Sequence, residues 1–274
     1  MNWGRSWTIT RTELRQLRQS RDFWLPLGIV ALLFFAVLPA VLLFAVVNVE
    51  GPELATRIGD VVDTLPSGIR DAAAAASDKP NAQASYVLAV YLFAPLAILV
   101  PLTVSSAVGA HTIIGERERG TGEFLAHSPA DTAEIYIGKM WASLLPGYAT
   151  AIFGFGIYAL IVNLIAGPEL GGWFFPTGNW VILVFGLVPP FIALAVAMIL
   201  MVSARVSSAA AAQQLSSLIT LPLILVAYGL AASSLSRAAI FAAVIGAGAW
   251  VLAIAALWRG SRSLSRERLL GLGG

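Results

Sequence analysis

The sequence predicts an all-α integral membrane protein. It reads as six transmembrane helices, an N-terminal amphipathic helix lying along the membrane interface, and both termini cytoplasmic. Three observations carry this. Apolar residues make up 58 % of the 274 and charged residues 12 %, with a mean hydropathy of +0.81; a soluble domain is nearer half apolar and a quarter charged. Six stretches contain no Asp, Glu, Lys, Arg or His, and about 20 apolar residues at 1.5 Å each cross a hydrocarbon core of roughly 30 Å. If those stretches span, 13 of the 17 basic residues fall on the side of the termini and 4 on the other, which makes the first side cytoplasmic.

The first element is the segment 3–24. Trp3, Trp7, Leu14, Leu17 and Trp24 recur at helical spacing while arginines occupy most of the other face. Such a pattern fits a helix in the interface plane, its aromatic side chains at headgroup depth. The spans follow at 25–49, 84–110, 140–166, 179–202, 214–232 and 238–258. Each is expected to be helical, because lipid offers no partner for an unpaired backbone N–H. The first apolar run is about 25 residues, beyond the 7–15 of a secretory signal, so it reads as an uncleaved span. The extracellular loop 50–83 is the only long outer connection. Ile58, Val61, Val62 and Leu65 share a helical face there, Pro66-Ser67-Gly68 breaks it, and Ala72–Ala76 follows as a second short helix. A small helical cap and a solvated loop both fit. Trp173, Phe174, Phe175 and Trp180, in and beside the next outer link, fit an interfacial aromatic belt.

Several chemistries lack their residues. There is no cysteine, hence no disulfide or thiolate. The one Gly-Lys pair, Gly138-Lys139, is followed by Met140, so no phosphate loop is present and ATP hydrolysis by this chain is not expected. The two histidines, His111 and His127, lie outside the six stretches, so neither a His-Glu-x-x-His metal site nor a Ser–His pair exists within a span. No span holds an ionisable residue of the kind that relays protons or ions. The basic pI of about 9.1 follows from the one-sided distribution of arginine and points to no nucleic acid. Prolines within spans (Pro39, Pro95, Pro101, Pro146, Pro189, Pro190 and Pro222) remove helix hydrogen bonds and bend helices. Gly147, Gly154, Gly156, Gly246 and Gly248 permit close helix approach.

The most informative segment is the cytoplasmic connection 111–139, with five acids and three bases in a chain otherwise nearly uncharged. The second span is expected to continue through Glu116–Arg119. Gly120-Thr121-Gly122 then breaks it, since glycine disfavours a helix interior, and Thr121 caps a short helix with Glu123 near its start. Ser128-Pro129-Ala130-Asp131 reads as a second start, with Ser128 as N-cap and Pro129 at the first helical position. The product is a charged elbow projecting from the membrane.

These residues carry a resemblance. The run Glu116-Arg-Glu-Arg-Gly-Thr-Gly-Glu-Phe-Leu, then Ser128-Pro129, Glu134-Ile135 and Gly138-Lys139, resembles the membrane subunits of ABC-2 type ABC transporters. The opening Thr10-Arg-Thr-Glu-Leu-Arg-Gln-Leu-Arg followed by a span looks like that family too. Gly122 departs from it, standing where a larger apolar residue is usual. So does the short link Ser233–Arg237, which hardly has room for the re-entrant hairpin of several members. The resemblance implies that residues 1–274 form a single transmembrane domain. It would be the permease subunit of an ATP-driven exporter in a cell membrane, most simply a bacterial one. The chain would bind no cofactor itself; ATP and Mg²⁺ would sit on a separate cytosolic ATP-binding subunit, and a second membrane subunit, identical or related, would complete the pathway. Matched residue by residue, Glu116, Arg117, Glu118, Arg119, Gly120, Thr121 and Glu123 would line the docking region, and Pro129 and Lys139 would fix how the chain re-enters the membrane. An ion-gradient-driven carrier or channel, and a non-transporting membrane scaffold, are the alternative readings.

Overall fold

The computed structural model describes residues 2–48, 60, 62, 64–118, 128–203, 211, 214, 218, 221, 244 and 246–261. Regular structure among them is helical throughout, with no strand. Among the described residues, four helices are long and apolar enough to cross a membrane: Trp24–Val47, Pro80–Thr112, Thr132–Leu170 and Gly178–Met201. They coincide with the first four expected spans, and the protein is a multi-pass membrane protein. Most of the expected span 214–232 lies outside the described residues, as does the start of 238–258; residues 246–261 are helical.

The opening helix, α1, covers Trp3–Gln19. It ends at Ser20, whose extended backbone (φ −86°, ψ 94°) breaks the chain before α2 begins at Arg21. Trp24 therefore belongs to the first span rather than to α1, correcting the expected extent of 3–24. The faces of α1 also differ from expectation. Ser6, Thr10, Glu13 and Leu17 are the buried stripe, while Trp3 and Trp7 are more than half exposed. The tryptophans face away from the helix bundle, and a polar stripe packs against it.

Among the described residues, three spans contain a wider π-helical turn, and each is followed by a proline. The first span runs α2 (Arg21–Leu32), a π turn at Leu33–Val37, then α3 (Leu38–Val47) with Pro39. After the outer helix α4 (Ser67–Ala76), the second runs α5 (Pro80–Val87), a π turn at Leu88–Leu92, an interruption ending at Pro95, then α6 (Leu96–Glu118). The third is the single helix α7 (Thr132–Ala166). The fourth runs α8 (Gly178–Ile182), a π turn at Leu183–Leu187, then α9 (Val188–Ser203) with Pro189. A proline ring meets the carbonyl four residues earlier, and a π turn moves that carbonyl aside. The residue four before each of these prolines is Phe35, Tyr91 or Phe185. Pro101 and Pro146, preceded at that distance by Ala97 and Ala142, sit in unbroken α-helix.

Small residues set the helix contacts. A Cβ on Gly147 would collide with the side chain of Ser105 and approach the Pro101 carbonyl to 2.7 Å, and Gly109 lies against Ser143, so α6 and α7 meet along a Ser/Gly seam. Gly154 receives the ring of Phe35 from the first π turn. Gly156 and Gly248 have no neighbour within 4 Å and are not contact positions among the described residues. Lipid gives no hydrophobic drive between helices, so such close packing holds the bundle. The apolar side chains left outside, such as Leu25, Phe153 and Leu164, are those a bilayer covers.

At the end of the bundle away from α1, Ile69 and Ala73 of α4 are buried, as is Val62. Helix α4 is thus longer than the Ala72–Ala76 stretch expected. Ile58 and Val61 lie outside the described residues. Gly171 (φ 84°) and Gly172 (φ 140°) turn the chain after α7 into a backbone region that favours glycine. Asn163 fastens this turn: its Oδ1 accepts from Phe174 and Phe175 N–H at 3.0 and 3.1 Å, and its Nδ2 donates to Phe175 O at 2.6 Å. Trp173 is exposed, as a belt residue would be, but Phe175 and Trp180 are each only 2 % exposed and pack inside the bundle. Trp180 stacks on the rings of Tyr158 and Phe155, and Phe175 meets Tyr158 and Trp180 edge-on.

A candidate functional site at the elbow

The elbow is built where α7 begins. Asp131 is the N-cap of α7, with an extended backbone, and Glu134 at the third helical position accepts the Asp131 N–H at 3.2 Å. This is the carboxylate half of a capping box. The helix therefore starts three residues later than the Ser128 expected from sequence. Ser128 instead accepts from Ala130 N–H at 3.4 Å in the preceding turn. At about 1.5 Å per residue the 35 residues of α7 run to roughly 52 Å, some 20 Å more than a hydrocarbon core needs. The excess carries the elbow beyond the hydrocarbon.

Helix α1 lies across this start, and Thr10 and Glu13 of its buried stripe bond across to α7. The Thr10 hydroxyl is 3.0 Å from both the Ser6 and the Gly138 carbonyl oxygens. Gly138 makes the crossing possible, since a Cβ there would sit 2.8 Å from Ile9 Cβ and 2.9 Å from the Ser6 carbonyl. Below it, Lys139 Nζ donates to Glu13 Oε1 at 2.9 Å and to the Thr112 carbonyl, on α6, at 2.6 Å. The side chains of Lys139 and Glu13 are 1 % and 10 % exposed. A buried ammonium needs both an opposite charge and further acceptors, and here it has a carboxylate and a carbonyl. One side chain thus joins α1, α6 and α7.

The N-terminal end of α1 is held as well. Arg5 Nη1 donates to the Pro129 carbonyl at 2.9 Å and lies 3.9 Å from Glu134 Oε2, and the Asn2 N–H donates to Glu134 Oε1. On the far side, the buried Tyr136 hydroxyl lies 3.4 Å from the Ala197 carbonyl of α9. Its ring occupies the space a Cβ on Gly260 would need. Four helices, counting that over 246–261, converge on one turn of α7.

Of the residues expected at the docking region, the structure places Glu116, Arg117 and Glu118 in the last turn of α6 by backbone. Arg119, Gly120, Thr121 and Glu123 lie outside the described residues. Pro129 and Lys139 are at the re-entry point, where Arg5 binds the carbonyl of one and Glu13 pairs with the other. In α1, Leu17 is buried and Leu14 half-buried. Ser6 and Thr112 carry no signal in the sequence, and Thr10 and Glu13 appear there only within the opening run of the family resemblance. Ser6, Thr10, Glu13 and Leu17 repeat at four, three and four, the spacing of the tryptophans, but a polar stripe carries no apolar signal.

The sequence over most of this bundle matches a known family. The family model described as ABC-2 family transporter protein matches residues 69–248. The chain belongs to the ABC-2 transporter family. A comparison with curated proteins returned no match. The ABC-2 match takes in α6, the elbow, α7, α8 and α9. It begins well after α1, so the attachment of α1 to the elbow rests on the contacts above. Membrane subunits of this family are transport components of ABC transporters, and the family implies an ATP-binding partner subunit.

Proposed function

We propose that this chain is the permease subunit of an ATP-driven exporter, located in the plasma membrane, most simply of a bacterium. It forms the pathway with a second membrane subunit and takes its motion from a cytosolic ATP-binding subunit that holds ATP and Mg²⁺. The observation that supports this best is the Lys139 clasp. The elbow between α6 and α7 leaves one helix through Glu116–Glu118 and enters the other beside Lys139. Lys139 binds both of those helices and α1 at once. A push on the elbow therefore reaches α6, α7 and α1 as one body, and the Ser105–Gly147 seam passes it along two spans. The mixed charge of 116–123 suits a partner surface, where charge sets register and specificity. Chemistry at the nucleotide is left to the partner.

The test is charge reversal at Glu116 and Glu118 in the complex reconstituted with its ATP-binding subunit. Normal complex assembly with loss of transport-linked ATP turnover is expected. Unchanged coupling would remove these residues from the docking surface.

A further inference from the structure

Beyond the elbow, the second span carries a break that is closed by side chains of two other spans. Over Leu88–Pro95 the regular ladder fails: Phe93 N–H donates to Leu88 O at 3.2 Å, Ala94 N–H to Tyr91 O at 3.3 Å, and Pro95 has no N–H. In a continuous α-helix Phe93 and Ala94 would serve the carbonyls of Ala89 and Val90. Those carbonyls are served from outside the span. The Tyr158 hydroxyl of α7 donates to Ala89 O at 2.6 Å, and Trp180 Nε1 of α8 donates to Val90 O at 2.8 Å. Both donor residues are buried, at 1 % and 2 % exposure, and their rings stack at 5.0 Å and 15°. Within a membrane an unserved carbonyl is costly, and non-helical backbone persists only where protein groups satisfy it.

The break divides span two into arms with different attachments. The inner arm, α6, packs chiefly on α7 and α9; the outer arm, α5 with its π turn, packs on α3, α4 and the outer turn. We infer that Tyr158 and Trp180 are positioning residues that lock the outer arm of span two to the α6–α7 body, and that transport proceeds by release of this lock. The second clause rests on the permease reading above; the first does not. Two donors aimed at adjacent carbonyls of a broken turn form an arrangement that a small rotation undoes. Regular pairing of Phe93 and Ala94 with Ala89 and Val90 is the alternative the chain could adopt, once Pro95 no longer prevents it.

The chain has no cysteine, so paired spin labels can be placed cleanly at Ala84→Cys on the outer arm and Leu164→Cys on α7. The protein is measured in lipid nanodiscs, diluted with unlabelled chain, by pulsed electron spin resonance. The arm from residue 94 to 84 is about 15 Å long, so a kink change of about 20° moves its end by about 5 Å. One narrow distance is expected for the parent. Tyr158→Phe, which keeps the ring and removes the hydroxyl, is expected to broaden or shift it by about 5 Å, and Trp180→Phe likewise. Adding Pro95→Ala to Tyr158→Phe removes the ring that interrupts the helix, so that Phe93 and Ala94 N–H can turn to the Ala89 and Val90 carbonyls, and one narrow distance is expected to return, a rescue that a general loss of packing would not show. Parent-like distances in both single variants overturn the lock. Should Tyr158→Phe not fold, Trp180→Phe with and without Pro95→Ala decides the same point. With the ATP-binding subunit and a trapped nucleotide, the parent distance is expected to move toward that of Tyr158→Phe. A lock present in the isolated chain but unmoved by nucleotide in an assembled complex overturns its role in transport.

Discussion

Lys139→Met isolates the clasp at the elbow. Methionine is similar in length and keeps the apolar stem packed, so the change removes the ammonium with little change of volume. It leaves the Glu13 carboxylate, 10 % exposed, without its partner, and the Thr112 carbonyl without its donor. Removing one member of a buried ion pair costs about 3–5 kcal/mol, because the remaining charge stays desolvated. At about 2–4 °C per kcal/mol for a chain of this order of size, unfolding in mild detergent should begin roughly 6–20 °C lower. The double variant Glu13→Met with Lys139→Met removes both charges and should recover most of the loss, since replacing a buried pair with apolar groups is often close to neutral. Thermal unfolding followed by tryptophan fluorescence gives all four corners of the cycle. A single variant as stable as the parent, or a double variant whose loss equals the sum of the singles, would refute the reasoning that the pair is a desolvated, mutually dependent clasp.

Other substitutions probe the remaining joints. Gly138→Ala places a methyl against Ile9 and the Ser6 carbonyl and should cost about 1–3 kcal/mol by overpacking, seen as a lower unfolding temperature and faster proteolysis of α1. Asn163→Leu strands the Phe174 and Phe175 N–H groups and the Phe175 carbonyl, each at about 1–3 kcal/mol when buried; hydrogen exchange should rise at 171–176 before any change at the elbow. Gly154→Val drives the Phe35 ring from its seat and should cost about 1–3 kcal/mol by overpacking, read as a lower unfolding temperature.

Much of this architecture is legible in the sequence, and the failures have physical causes. The first four spans are visible because length and absence of charge are one-dimensional properties. The π turns are not, since proline announces a bend without saying how the backbone absorbs it; the aromatic residue four before Pro39, Pro95 and Pro189 was the available signal. Phe175 and Trp180 look like belt residues by type and position, yet whether an aromatic ring faces lipid or protein depends on Asn163 and Tyr158, far from either in pattern. At the elbow, Lys139 and Pro129 were legible through the family motif. Glu13 was not, because in sequence it is one more charge in a charged helix. Only the crossing at Gly138 turns it inward. The N-cap moved from Ser128 to Asp131 because Glu134 completes a capping box with Asp131 alone.

Docking of a separate ATP-binding subunit at the elbow is the proposal on which the transport reading depends. The most direct measurement is purification of the chain in mild detergent with its native neighbours, followed by mass spectrometry of every stoichiometric partner and crosslinking from the segment between Glu116 and Lys139. A cytosolic protein bearing a phosphate loop is expected, one copy per membrane chain, crosslinked to that segment. Purification of the membrane chain with no ATP-binding partner, crosslinked or free, would contradict it.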